Sequence, residues 1–209
     1  MRAKTSLLGF AEREQLHERS ELNKSTSYMK HYVFFANGFE DIEALSVVDV
    51  LRRAGVDVKT VSIYDTLHVT SAHGVTIVTD ILFSEVEPTE GYLILPGGMP
   101  GTTNLAAHSG LCALLQQHHA KGLPLAAICA APMVLGGLKI LEGKKAICYP
   151  GCEGGLGGAL LQADQKVVQD GNVITGKGPG VSLDFALAIA ATLVGEERAN
   201  QIGKAMMYL

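Results

Sequence analysis

The chain has 209 residues, enough for one domain with a substantial core and short for two. Apolar residues make up 47% and charged residues 18%, an ordinary balance for a buried α/β sheet. A net charge of −4 without a long basic run speaks against nucleic-acid or membrane-surface partners, and no apolar stretch is long enough to span a bilayer.

Residues 1–28 stand apart, a mixed-charge extension without a sustained apolar region. It has neither the apolar run of a secretory signal nor the acid-poor composition of an organellar transit peptide. Gly9 to Leu22 reads as a short polar helix or as part of a disordered tail, and Met29 reads as the effective start of the domain, 29–209. Tyr32 to Ala36 is a compact apolar strand. A helix is predicted over Phe39 to Ala54, stopped by Gly55, and a second strand over Val56 to Ile63. Val69 and Val75 to Val78 flank a turn at Ala72-His73-Gly74. Tyr92 to Leu95 is a buried strand broken by Pro96-Gly97-Gly98, and a helix follows over about Gly110 to Lys121. Leu123 to Ile128 is the next strand, and Ala130 to Leu138 the helix after it. Lys145 to Tyr149 reads as a strand and residues 151–158 as a glycine-rich loop. Val167-Val168 and Val173-Ile174 flank a hairpin at Asp170-Gly171, and helices over Val181 to Leu193 and Glu196 to Met207 close the chain. Apolar strands alternating with helices predict a mostly parallel sheet covered on both faces.

Four cysteines occur, at 112, 129, 148 and 152. Without a secretory signal they read as free thiols, so a reducing, cytoplasmic compartment is expected. Cys129 stands out. It follows a buried strand and opens a helix, which puts it at the carboxyl edge of the sheet, where open α/β folds bind ligands. Alanines at 127, 130 and 131 fit the tight packing of a strained strand-to-helix turn that exposes its nucleophile. The helix amino terminus is expected to favour thiolate over thiol. The competing reading is a small buried apolar cysteine. Glu43 tips the balance: it shares a helical stripe with Val47, Val50 and Ala54, so burial should keep its carboxyl protonated and able to exchange protons with a neighbour. Glu40 and Asp41, in the first helical turn, are assigned to the helix dipole.

Gly97 and Gly98 end a strand and allow backbone N–H groups to approach a ligand; with the Ala130 N–H they form a candidate oxyanion site. Neither this loop nor GCEGGLGG matches a phosphate- or dinucleotide-binding pattern. His118 and His119 are adjacent on a helix and cannot share a face for a metal, and His73 and His108 read as surface residues of turns. Cys148 and Cys152 lack the second pair a zinc site needs, and become redox partners only if the loop folds back. Cys112 sits among leucines and reads as core.

Four ordered blocks carry a resemblance: Glu40-Asp41-Ile42-Glu43 leading to Asp49 through Gly55, Leu95-Pro96-Gly97-Gly98, Ala126 through Pro132, and Gly178-Pro179-Gly180 leading to Asp184-Phe185-Ala186. In these the chain resembles the ThiJ/PfpI superfamily, in the branch of the Parkinson's-associated deglycase and the bacterial ThiJ/YajL proteins. The resemblance implies a flavodoxin-like three-layer α/β sandwich with a nucleophile elbow, and a homodimer. It matches Cys129 to the oxidisable nucleophile, Glu43 to its carboxyl partner, and Gly97, Gly98 and Ala130 to the oxyanion donors. It implies a glyoxalase or protein deglycase that needs no cofactor and acts on methylglyoxal or on glycated protein. The other readings are a redox sensor or chaperone whose readout is oxidation of Cys129, and the thiazole biosynthesis attached to the ThiJ label. Two departures matter. Ala130 stands where peptidase-like members carry histidine, which argues against a protease. Tyr149 stands before Pro150 where some deglycase-branch members carry histidine, leaving Glu43 as the proton carrier.

Overall fold

The strand His31–Phe35 (β1) is buried at every position, and its side chains divide by the two-residue period of a strand. Val33 and Phe35 point to one core, Tyr32 and Phe34 to another. This is the pattern of a sheet with helices on both faces. The structure, a computed structural model, describes residues 29–209; the tail and its Gly9 to Leu22 helix lie outside the described residues.

Seven strands form the central sheet. After β1 come Val58–Ser62 (β2) and a small hairpin of His68–Thr70 (β3) with Thr76–Val78 (β4), which stands outside that sheet. Ile81–Leu82 (β5), Leu93–Leu95 (β6), Leu125–Ile128 (β7), Val167–Asp170 (β10) and Val173–Gly176 (β11) complete the sheet. The order is β10-β11-β7-β6-β1-β2-β5, parallel except for the antiparallel β10–β11 pair. The remaining strands, Lys145–Ala146 (β8) and Leu160–Leu161 (β9), pair with each other in a separate two-stranded sheet. The predicted Lys145 to Tyr149 strand therefore ends early. From Ile147 on the backbone leaves the ladder: Ile147 N–H donates to Thr175 Oγ1 and Tyr149 N–H to the Cys129 carbonyl.

One face of the sheet is covered by helices Asp41–Arg53 (α1), Ser182–Val194 (α5) and Glu196–Ala205 (α6). Gly101–Ala107 (α2), Ser109–Ala120 (α3) and Pro132–Gly137 (α4) cover the other. The predicted α1 started at Phe39; it begins at Asp41, because Phe39 is 1% exposed and packs edge-on against Phe35. The helix α2 was not predicted. His108, read as a surface residue, separates it from α3, whose first turn it caps: the His108 Nδ1 accepts from Leu111 N–H at 2.9 Å. No described helix is long and apolar enough to cross a membrane.

The chain moves outward from β1 to β2 in one direction, and β6 then lies on the other side of β1. That reversal opens a crevice at the carboxyl ends of β1 and β6. The segments that follow β1, β6 and β7 carry Glu43, Gly97 and Cys129.

Candidate active site

Cys129 leaves β7 with φ at 65°, in the left-handed region that side chains other than glycine rarely adopt. Its backbone is held from both sides. The Cys129 N–H donates to the Gly176 carbonyl at 2.9 Å, and its own carbonyl accepts from Tyr149 N–H at 2.8 Å. Such over-determination is what lets a strained residue persist, at a cost of roughly 1–3 kcal/mol. The side chains around it are small: Ala130 and Ala131 are buried against the turn. The elbow read from the sequence is present.

Glu43 projects from the first turn of α1 and is fully buried. Gly97 N–H donates to its Oε2 at 2.9 Å, while Oε1 is buried without a hydrogen-bond partner of ordinary geometry. Burial raises the carboxyl to about 7, against the lowering effects of the Cys129 thiol and the Gly97 N–H. Gly97 fills the space between the two functional side chains. A Cβ there would lie 2.6 Å from Cys129 Cβ and 2.7 Å from Glu43 Oε2. Gly98, with φ at 90°, packs its Cα face against the Gly38–Glu40 backbone, and Glu40 N–H donates to the Gly97 carbonyl at 3.0 Å. The glycine pair thus docks the β6 loop onto the start of α1 and brings Glu43 to Cys129.

The thiol is not eased toward ionisation as the helix amino terminus alone would suggest. Burial pushes Cys129 up from its ordinary value, and the charge and hydrogen bond of Glu43 push it the same way. Backbone N–H groups of Gly98 and Ala130 pull it back down. The reason is scale: α4 has only six residues, whereas Cys129 is 8% exposed and faces a carboxylate. Sulfur and carboxyl therefore titrate as a pair.

Of the three donors assigned to an oxyanion, Gly97 is already engaged with Glu43, whereas Gly98 and Ala130 direct theirs at the sulfur. Tyr149 is half-exposed, and a Cβ on Gly178 would lie 3.1 Å from its ring, so the Gly178-Pro179-Gly180 block borders the elbow. None of the side-chain hydrogen bonds of the described histidines reaches Cys129 or Glu43. His73, expected on the surface, bonds Asp41 Oδ2 through Nδ1 at 2.8 Å, so Asp41 does more than balance the helix dipole. Glu40, Asp41 and His73 have metal-ligand composition, their donor atoms within 4.8 Å of one another, but His73 is 65% exposed and engaged with Asp41. The backbone partners of Cys129, at Gly176 and Tyr149, had no signal in the sequence, since a carbonyl or an N–H belongs to every residue type.

Residues 29–192 match the profile of the DJ-1/PfpI family. The chain belongs to the DJ-1/PfpI family. It is 36% identical over 180 residues to the Arabidopsis thaliana protein DJ-1 homolog B, covering 85% of this chain and 41% of that protein. The chain spans less than half the length of both Arabidopsis homologues it matches, the second at 45%. It is 36% identical to the Caenorhabditis elegans glutathione-independent glyoxalase DJR-1.2, covering 79% of this chain and 88% of that one. The crystal structure of Drosophila melanogaster DJ-1beta superposes with a TM-score of 0.82 at 33% identity, over 87% of this chain and 98% of the other.

Proposed function

We propose that this DJ-1/PfpI chain is a cofactor-independent glyoxalase that also acts on early methylglyoxal adducts of amines and thiols, as a protein deglycase does. The observation that carries the reading is the buried pair itself: a strained cysteine beside a carboxyl raised to about 7, one of whose oxygens has no other partner. A carboxyl near neutrality takes and returns protons at little cost. Ionised Glu43 accepts the Cys129 proton as the sulfur adds to the aldehyde carbon, giving a hemithioacetal. The N–H groups of Gly98 and Ala130 stabilise the oxyanion that forms. Glu43 returns its proton to that oxyanion, then takes the proton of the former aldehyde carbon and delivers it to the neighbouring carbon while the hydroxyl proton passes to the former ketone oxygen, leaving a lactoyl thioester. Water releases lactate, or lactate and the repaired amine, and regenerates the thiol. The name of the nematode relative supports this reaction class. Replacing Cys129 with serine removes the nucleophile, so lactate formation from methylglyoxal, followed by an enzyme-linked assay, is expected to vanish; an unchanged rate overturns the mechanism.

A second reading, oxidation of Cys129 as a signal, is favoured by the unpaired Glu43 Oε1, which in its protonated form would pair with an oxygen of a sulfinic acid. Peroxide-treated protein in which Cys129 is oxidised but which never forms lactate supports that reading over the first. The proposed assembly is a homodimer, and its apolar surface is Ile42 and Leu45 on the outer side of α1, which are 56% and 41% exposed. No nucleic-acid, membrane or cofactor role enters the proposal.

A further inference from the structure

The β3–β4 hairpin stands outside the central sheet, yet its turn is fastened to the start of α1. Gly38 N–H donates to the Thr70 carbonyl and Ala72 N–H to the Phe39 carbonyl, each at 2.8 Å, and Thr70 N–H donates to Asn37 Oδ1 at 2.9 Å. Ser71 Oγ accepts from the N–H groups of His73 and Val75 at 3.2 Å and 3.1 Å, which holds the turn itself in shape. So fixed, the turn sets His73 Nδ1 2.8 Å from Asp41 Oδ2 and 3.7 Å from Glu40 Oε2. Glu40 is the N-cap of α1, and its side chain makes no cap hydrogen bond. Glu43 follows it at the three-residue spacing that makes neighbours on a helix. Glu40 is tied to the site a second time: its N–H donates to the carbonyl of Gly97, whose own N–H holds Glu43 Oε2. Imidazole, carboxylate and buried carboxyl thus stand in sequence from the surface toward the sulfur.

We propose that Glu40 and His73 are positioning residues for the proton shared by Cys129 and Glu43: the Glu40 carboxylate keeps that proton on the pair near neutral pH, and the His73 cation on the hairpin weakens the hold. Burial is the largest reason that Glu43 is raised, and the negative charge of Glu40 adds to it. The bond to Asp41 and the charge of Glu40 lift His73 above its ordinary value of 6.5, so it carries positive charge into the range in which Glu43 titrates. Cys129 on the elbow and the Gly97 N–H on the β6 loop are the other groups that bear on Glu43. The signs follow from Coulomb's law. Loss of the Glu40 charge makes a Glu43 carboxylate easier to form, so the pair releases its proton at lower pH. Loss of the His73 charge leaves Glu40 unopposed, so the proton is held to higher pH. His73 is mostly exposed, and water and salt screen it, so its effect is the smaller of the two and shrinks at high salt. The arrangement serves the chemistry, because a Glu43 that titrated well below neutrality would be a poor base toward a thiol.

This role deepens the proposed glyoxalase mechanism and rests on its proton exchange, so it is read in two ways, one of them without turnover. The full chain and its E40Q, H73Q and H73K variants are alkylated with iodoacetamide across the neutral pH range, and the rate at Cys129 is followed by mass spectrometry of the tryptic peptide 122–139. Below the midpoint of the profile, E40Q is expected to react about threefold faster than the unmodified chain and H73Q about twofold slower, equivalent to midpoints moved by about 0.5 and 0.3 in pH. H73K keeps a cation on the hairpin and is expected to match the unmodified chain. The pH profile of lactate formation is expected to move by the same amounts in the same directions. Glutamine keeps the bulk and hydrogen bonding of both side chains, and melting curves verify that each variant is folded. Superimposed profiles overturn the assignment. So do shifts in one direction for E40Q and H73Q, which would mark a loosened helix start rather than two opposing charges, and so does H73K behaving as H73Q. Lactate formed with unshifted profiles removes the positioning role alone. Shifted alkylation without lactate sustains that role and removes the glyoxalase reading.

Discussion

Gly97 has no side chain to contribute, yet three parts of the site meet at its Cα. Its N–H holds Glu43, its carbonyl accepts from Glu40 N–H, and its missing Cβ leaves room for Cys129. Alanine there would have to push Cys129 Cβ or the Ile128 carbonyl, at 2.6 Å and 2.9 Å, and neither is the loose end of a long side chain. Gly97→Ala is expected to cost about 1–3 kcal/mol in urea unfolding, as overpacking does. It should also slow lactate formation on the order of a hundredfold, the usual effect of displacing reacting groups by about 1 Å. An alanine variant with unchanged rate and stability would show that the two side chains are not held as tightly as the contact distances imply.

At the scale of elements, α1 is both an active-site support and an unpartnered surface. Glu43, Val47, Val50 and Leu51 point inward, and Ile42 and Leu45 point out. Leu45→Glu places a charge in the apolar patch without touching the core. If a second copy covers α1, this variant sediments as a monomer and the unmodified chain as a dimer; identical sedimentation would mean that the dimer, if any, uses another face. The same helix shows why much of the fold was legible: its inward stripe recurs at helical spacing and Gly55 ends it. The buried strands were equally plain, because runs such as Leu125–Ile128 contain nothing polar. The helix Gly101–Ala107 was missed because Gly-Thr-Thr-Asn has poor helix propensity, and packing of Leu105 rather than local preference makes it form. The two-residue strand β5 is too short for periodicity to mark it. In the site, Cys129 and Glu43 were readable because their chemistry lies in side chains on recognisable elements. The diversion of Gly97 to Glu43 was not, because it depends on where two backbones meet.

Over the whole molecule, two buried groups at opposite ends of the sheet tilt stability with pH in opposite senses. Glu43, at the carboxyl end, is raised from 4.5 to about 7. Its neutral form is the one the fold prefers, so the stability it brings is complete below 4.5 and is lost as pH rises through about 7, in total about 3 kcal/mol. His31 begins β1 at the other end. Its Nδ1 accepts from Tyr92 N–H at 2.9 Å, its Nε2 is buried without a partner, and burial lowers it from 6.5 to about 4. Its contribution, of about the same size, is present above 6.5 and lost as pH falls through about 4. Burial lowers His118 as well, in the same sense as His31. Between pH 4.5 and 6.5 the carboxyl and the imidazoles oppose one another. Glu43→Gln removes one arm, so its stability, from urea titrations across this range, should climb with pH more steeply than that of the unmodified chain; superimposable profiles would contradict the assignment. The left-handed backbone of Cys129 has an evolutionary corollary. Glycine alone would sit there at ease, and glycine brings no sulfur. Selection for a tougher fold and selection for a working thiol pull that codon apart, and the cysteine marks which demand prevailed.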